Sequence, residues 1–303
     1  MPSEMIAGFY RVLRDWVQGT EAHERARELL GSMLARQIAD KNALASLHEA
    51  EFRVHSQFGD DGIIQWLVAR LPTLPKRFVE FGIEDYTESN TRFLMVNNNW
   101  AGLVMDGSTR NINRLRSRNW FWRHDLTALA MFVTRDNVDQ TIAKWAGGED
   151  VGLLHVDVDG NDYWLWEAVT SIRPGIVIME YNGLFGPDRA ITVPYAADFR
   201  RHAAHVSGQY FGASIAALAH LAAAKGYSLI GSNSAGNNAY FIRNDLLDNS
   251  IRATTPALAY VQPRFRDSRG ANHHLDFVDF AARQARLAGL PVVDVVTSTE
   301  EPF

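Results

Sequence analysis

Two short apolar runs, each closing near an acid, constrain this chain most. Phe78-Val-Glu-Phe-Gly82 carries Glu80 and ends on Gly82, after which a polar turn leads into helix-forming sequence. A second run, Gly102-Leu-Val-Met-Asp106, ends on Asp106. A strand, a turn that lets a ligand approach the backbone, and an acid at the tip of the next strand form a nucleotide cradle. A carboxylate at that tip suits the two hydroxyls of a ribose, which can donate to it. Asp106, followed by the turn Gly107-Ser108, is the predicted ribose site.

The same alternation continues along the chain. Strands are predicted at Phe78–Gly82, Gly102–Asp106, Trp120–His124, Gly152–Asp157 and Gly175–Asn182. Helical patterns lie between them at Asn90–Val96, Asn111–Ser117, Asn137–Ala146 and Tyr163–Thr170. Near-continuous apolar runs separated by helices imply a parallel sheet covered on both faces. After the small-residue helix Ala213–Lys225, two β-type runs flank Ser232-Asn-Ser-Ala-Gly-Asn-Asn238, which is a hairpin signal. The fold class read here is α/β, a Rossmann-like parallel sheet finished by an antiparallel hairpin. Residues 1–50 form an N-terminal helical extension, 51–245 the ligand-binding domain, and 246–303 a C-terminal extension packing on it. In the N-terminal part, Ile6, Phe9, Tyr10, Leu13 and Trp16, then Leu29, Leu30, Met33, Leu34 and Ile38, recur at helical spacing. Such a stripe either covers the main domain or pairs subunits in a homo-oligomer.

Composition narrows the classes. The 303 residues are 47% hydrophobic, enough for a substantial core. A formal charge of −5 argues against grip on nucleic-acid phosphates. Without cysteine there are no disulfides, zinc-thiolate sites or thiol nucleophiles. No apolar window is long enough to span a membrane. The first residues lack the basic start and apolar run of a signal peptide, so a cytoplasmic protein is expected.

Five parallel strands, a terminal hairpin and acids at the first two strand tips resemble the seven-stranded class I S-adenosylmethionine-dependent methyltransferases. More narrowly, the chain is similar to the FkbM-type methyltransferases. The segments that carry the likeness are Ser56-Gln-Phe-Gly-Asp-Asp-Gly-Ile-Ile64, Glu80-Phe-Gly82, Glu88-Ser-Asn-Thr91, Asp106-Gly-Ser108, His155-Val-Asp-Val-Asp-Gly-Asn-Asp162, Met179-Glu-Tyr-Asn182 and Phe211-Gly-Ala-Ser214. They cover about residues 45–245, with a looser echo in Arg264–Arg269. The turn Gly82-Ile-Glu-Asp-Tyr-Thr87 departs from the wider class: it is poor in glycine, and Tyr86 stands where a small residue would be more comfortable.

The resemblance gives the polar groups roles. Glu80 would face the cationic methionine end of the cofactor, with Gly82 letting the backbone come close. Ser89 and Asn90 can cap the next helix while its N-terminus holds the cofactor carboxylate, two roles that can coexist. Asp125, placed after the third strand, either accepts from the adenine amino group or caps the following helix. Gln57 belongs to a segment that the resemblance implies closes over the cofactor. His155, Asp157 and Asp159 alternate with valines and share one direction if the fourth strand continues that far. Asp157 is the leading candidate for the reacting centre, with Asp159, Glu180 and Asn182 beside it. Asp157, Glu180 and Asn182 either hold Mg²⁺ through oxygen or bind acceptor hydroxyls directly.

The expected activity is therefore S-adenosylmethionine-dependent methyl transfer. The resemblance implies a hydroxyl of a sugar or small natural product as the acceptor. Two alternatives stand beside it: a nicotinamide-dependent oxidoreductase, disfavoured by the absence of a G-x-G-x-x-G turn, and a non-catalytic cofactor-binding protein.

Overall fold

The computed structural model describes the backbone of residues 3–303 and the side chains of residues 21–303. The stripe expected at Ile6, Phe9, Tyr10, Leu13 and Trp16 lies outside the described side chains. A long helix, α1 (Ser3–Ala39), precedes α2 (Asp60–Arg70). Then β1 (Arg77–Phe81), α3 (Arg92–Asn98), β2 (Ala101–Asp106), α4 (Thr109–Arg116), β3 (Leu126–Ala130), α5 (Val138–Ala146), β4 (Leu153–Val156), α6 (Asp162–Ala168) and β5 (Ile176–Glu180) alternate. The chain continues through β6 (Ile191–Thr192), α7 (Arg201–Ala204), α8 (Ile215–Lys225), β7 (Tyr227–Ser232) and β8 (Asn238–Arg243). It ends with α9 (Pro256–Ala259), α10 (Phe280–Ala285), β9 (Pro291–Asp294) and β10 (Thr299–Pro302).

Seven strands make one sheet in the order β3-β2-β1-β4-β5-β8-β7. The first five are parallel, and β8 pairs antiparallel with both β5 and β7. This is the Rossmann-like methyltransferase arrangement expected from the alternation and the hairpin signal. The reversal of strand order at β1–β4 opens a crevice outside the carboxyl ends of the strands.

Period-two alternation sends side chains to two cores. Val79, Phe81, Leu103, Met105, Leu154, Val156, Val177 and Met179 face α5, α6 and α8. Phe78, Val104, Leu153, Ile176 and Ile178 face α2, α3 and α4. Strands buried on both faces explain why β1, β2, β4 and β5 read as unbroken apolar runs.

The third strand lies later than expected. Trp120–His124 is not a strand; Phe121–Arg123 form a 3₁₀ turn, and β3 begins at Leu126. Its aromatics pack locally instead, Trp120 against Tyr86 and the Arg92 guanidinium. As an edge strand, β3 alternates buried and partly exposed residues, so its apolar signal is weaker.

The α1 stripe also differs. Leu29, Leu30, Met33 and Leu34 are exposed, while Gly31, Ala35 and Ile38 form the buried face. Small residues let α1 come close to Val54 and Phe93: a Cβ on Gly31 would overlap both. In the C-terminal part, β9 pairs with β10 and with β6, so residues 291–302 complete a small second sheet begun at residues 191–192. No helix among the described residues is long and apolar enough to cross a membrane.

Candidate active site

Three joined cavities run along the carboxyl ends of the strands. The first, about 910 Å³, is lined by Asp106, Gly107 and Ser108 from the end of β2, Met131–Val133 from the end of β3, and Asp157–Asp159 beyond β4. The second, about 260 Å³, lies over the centre of the sheet, between Glu80, Asn90, His155, Asp157, Glu180 and Asn238. The third, about 360 Å³, lies beyond β5, walled by Phe58, Gln209, Phe211, Pro263, Phe265 and Arg283. Gly82, Glu84, Asp157, Asp159 and Arg201 border the first and second. Gln57, Glu180, Arg201 and Asn237 border the second and third. A further cavity of about 430 Å³ near Trp66 and Arg252 shares no residue with this series.

Asp106 sits where the sequence places it. Its Oδ1 accepts from the Ser108 N–H at 2.7 Å and from Asn111 Nδ2 at 3.3 Å, and its Oδ2 from the Glu84 N–H at 2.9 Å. A carboxylate offers about four acceptor positions, so these three leave it unsaturated and held in place. Ser108 also caps α4 by accepting from the Asn111 N–H. Gly107 lies against Phe132, whose ring is 40% exposed in the cavity wall.

Glu80 has a different task from the one expected. It projects to the α2/α3 face of the sheet, where the sequence Ser89-Asn-Thr91 meets it. Its Oε1 accepts from the Asn90 N–H and from His155 Nδ1, its register neighbour on β4, at 3.0 and 2.9 Å. Its Oε2 accepts from Ser89 Oγ at 2.6 Å and from the N–H and hydroxyl of Thr91. With both oxygens so occupied, Glu80 holds the start of α3 in place while lining the second cavity. The N–H groups of Asn90 and Thr91 are spent on Glu80, so they are not open to a carboxylate. Burial opposes charge on both Glu80 and His155, yet their mutual hydrogen bond and attraction outweigh it. The Glu80 pKa is held below its ordinary value and the His155 pKa above.

Gly82 has φ of +72°, and a Cβ there would overlap the carbonyl oxygen of Asp157. The close approach that requires glycine is thus between the loops after β1 and β4. The glycine-poor turn is accommodated by left-handed Glu84 and Tyr86, with φ of 48° and 62°. Tyr86 is buried, and its hydroxyl bonds Thr91 Oγ1 at 2.8 Å.

Asp125 does not join the site. It precedes β3, and its carbonyl accepts from the Gly102 N–H at the start of β2, the opposite edge of the sheet. With the third strand displaced, the residues beyond its carboxyl end are Met131–Val133, which line the first cavity. Gln57 is exposed, on the border of the second and third cavities.

Beyond β4 the alternation stops. Asp157, Asp159 and Glu180 all line the second cavity, and Asp159 takes a left-handed φ of 56°. Asp159 pairs with Arg201 at 2.6 Å, which makes it an anchor and not a free base. Asn182 is also consumed: its Nδ2 donates to the carbonyls of Gln209 and Phe211, and its Oδ1 accepts from the Leu184 N–H. The oxygens that do converge belong to Asp157, Asp162 and Glu180, within 4.8 Å of one another. Asp162 spends both oxygens on the N–H groups of Val158 and Gly160. Of the expected Asp157, Glu180 and Asn182 set, Asn182 is engaged by its own turn, while Asp157 and Glu180 converge with Asp162.

Burial, then the charges of nearby carboxylates, raise this pair. Asp157 is pushed up to about 7, and Glu180 well above the ordinary range by burial and by Asp157. Oε2 of Glu180 and Oδ1 of Asn238, facing strand neighbours on β5 and β8, are buried without a partner. Behind them, Asp60 accepts from Tyr240, Asn238 and Asn233, and its wholly buried carboxyl is also raised.

Sequence reading missed Arg201. It donates to Asp159 and Asp267, caps the Gly208 carbonyl, and lies 4.1 Å over the Phe211 ring. Its partners come from residues 159, 208, 211 and 267, and no local pattern marks such a convergence.

No family model matches the chain, and no curated protein matches it. Solved structures do. An O-methyltransferase from Bacillus cereus, in complex with SAH, is 14% identical over 69% of this chain and 89% of that one, with a TM-score of 0.38. A SAM-dependent methyltransferase from Geobacter sulfurreducens, in complex with S-adenosyl-L-homocysteine, is 14% identical over 61% and 70%, with a TM-score of 0.30. An O-methyltransferase family protein from Burkholderia thailandensis is 12% identical over 77% and 71%, with a TM-score of 0.37. Likenesses this distant carry nothing about activity.

Proposed function

We propose that this chain is an S-adenosylmethionine-dependent methyltransferase acting on a hydroxyl of a small polar acceptor, of the FkbM type that its motifs resemble. The observation that carries this reading is the run of three joined cavities, with Asp157 on the border of the first and second and Glu180 on the border of the second and third.

S-adenosylmethionine, when bound, supplies an electrophilic methyl group on a sulfonium. Asp106 takes the ribose hydroxyls, and Met131 and Phe132 offer an apolar wall to the adenine. The second cavity is lined by six carboxylates against Arg201 and His155. Such a chamber favours a ligand's cationic end. The unpartnered Glu180 Oε2 and Asn238 Oδ1 are acceptors of the kind that an ammonium group needs.

A hydroxyl entering from the third cavity passes Glu180 and meets the carboxylate pair in the second. A neutral hydroxyl is a poor nucleophile. Asp157 takes the proton from its oxygen and leaves a lone pair free to bond to carbon, while Glu180, protonated, donates to Asp157 and holds it in place. The nicotinamide alternative fits less well, because the antiparallel β8–β7 hairpin stands where a dinucleotide fold continues its second parallel half.

The test is transfer of an isotopically labelled methyl group across a panel of hydroxylated small molecules. Transfer by the wild type, lost in Asp157→Asn, supports the reading. Binding of S-adenosylmethionine with no transfer to any member of a broad panel favours a non-catalytic binding protein.

A further inference from the structure

The third cavity holds a buried cation that makes no ion pair among the described residues. Arg283, on α10, lines that cavity and is only 2% exposed. Its guanidinium donates to the backbone carbonyls of Phe265 at 2.6 Å and Pro263 at 3.4 Å, and its Nε has no partner. Among the described residues, no carboxylate comes within ion-pairing distance of it. Asp267, an acid on the same wall, is already engaged by Arg201 at 3.1 Å and by Gln209 Nε2 at 3.1 Å.

A buried charge left unpaired costs several kcal/mol, so a fold that keeps one has a use for it. Holding the 260–267 segment is not that use by itself. Tyr181 already bonds the Val261 carbonyl at 2.9 Å, Tyr260 bonds the Gly183 carbonyl at 2.8 Å, and Gly236 packs directly on Val261–Pro263. Phe265, in the wall of the cavity, stacks on Phe58 at 4.8 Å, and the exposed Arg264 and Arg266 adjoin it in sequence without an ion pair among the described residues.

From this arrangement we infer that the acceptor is an anion: a small hydroxylated molecule whose carboxylate or phosphate docks on Arg283 and whose hydroxyl passes Glu180 to reach the Asp157–Glu180 pair in the second cavity. The inference rests on reading the third cavity as the acceptor site of a methyltransferase. A planar guanidinium with free N–H groups binds either oxyanion, so both sources share this chemistry.

Calorimetry on the full chain tests it, with glucose, glucuronate and glucose 6-phosphate as probes, each titrated with and without S-adenosylhomocysteine. The wild type is expected to bind at least one charged probe roughly ten-fold or more tighter than glucose, the range of a hydrogen bond to a charged group. Preference for glucuronate or for the phosphate separates the two sources. Arg283→Gln should abolish the preference and leave the affinity for S-adenosylhomocysteine unchanged. Equal binding of all three probes by the wild type, or a preference that survives in Arg283→Gln, overturns the inference. If that variant does not melt cooperatively, hydrogen exchange of the wild type replaces it. The charged probe must then protect residues 263–267 and 280–286, and protection confined elsewhere counts against the site. Failure of S-adenosylhomocysteine itself to bind would sink the methyltransferase reading, and titrations without it would still read the anion site.

Discussion

Glu180, the last residue of β5, and Asp157, the first beyond β4, bring carboxylate oxygens within 4.8 Å of each other in the cavity over the centre of the sheet. Two carboxylates this close, largely out of water, do not both ionise easily. They titrate as a pair, and the pair keeps a proton into the neutral range.

The pair sets a pH dependence whose sign can be worked out. Asp157 acts as a base only when ionised, and its pKa is pushed up to about 7. Methyl transfer should therefore rise with pH through about 7. Asp157→Asn should remove that limb and slow the reaction by about 10²–10⁴-fold, the usual contribution of a general base. A wild-type profile flat from pH 5 to 9 would reject the pair as the titrating group.

The same shift makes a stability prediction of opposite sense. A pKa raised in the folded state contributes stability that is full below the unfolded value and lost as pH rises through the folded one. For Asp157 that window runs from its ordinary 3.8 up to about 7. At pH 8 the ligand-free wild type carries the full penalty, and Asp157→Asn is spared it. The variant should melt at a higher temperature than wild type at pH 8, with the difference shrinking at pH 4. Calorimetric melts at the two pH values check this.

Asp106→Ala should weaken S-adenosylmethionine binding by about 1.5–3 kcal/mol, the range for hydrogen bonds to a charged group. The substitution also frees the Glu84 N–H, so the loop after β1 should gain hydrogen exchange in the ligand-free protein. Unchanged affinity in a folded variant would remove the ribose assignment.

How much of the fold and site was legible in the sequence depends on how local each signal is. β1, β2, β4 and β5 are buried on both faces, so unbroken apolar runs announced them, and the acids that end those runs announced the crevice. β3, at the sheet edge, lacks such a run, and the aromatic Trp120-Phe-Trp122 drew the assignment away from it and Asp125 into the wrong half of the sheet. Asn182 read as a ligand because it is polar at a strand tip; Asn182-Gly183 is also a turn signature, and its side chain serves that turn. Glu80 was rightly singled out as an acid on a buried strand, but its partners Ser89, Thr91 and His155 could be named only once β1, β4 and the start of α3 were adjacent. Arg201 and Arg283 were invisible because their partners are distant in sequence, although the Arg264–Arg269 cluster marked the segment that Arg283 holds.

Gly82→Ala should be far more damaging than Gly147→Ala. Both glycines are left-handed, which alone costs an alanine about 1–2 kcal/mol. Only at Gly82 does a Cβ also meet backbone, while nothing lies within 4 Å at Gly147. Denaturant unfolding should show the extra loss, together with loss of cofactor binding in Gly82→Ala alone. Equal losses in the two variants would mean that the loops after β1 and β4 do not pack as described.

Chelation should leave methyl transfer intact, because Asn182 is committed to backbone and Asp162 caps its own turn. Activity that disappears after exhaustive EDTA treatment and returns with Mg²⁺ would replace the carboxylate base with a metal.

The measurement that bears most directly on the central claim is calorimetric titration of the purified chain with S-adenosylhomocysteine and, separately, with NADH. The account predicts saturable one-site binding of S-adenosylhomocysteine that weakens in Asp106→Ala, and no saturable binding of NADH. Saturable NADH binding with none for S-adenosylhomocysteine would contradict it.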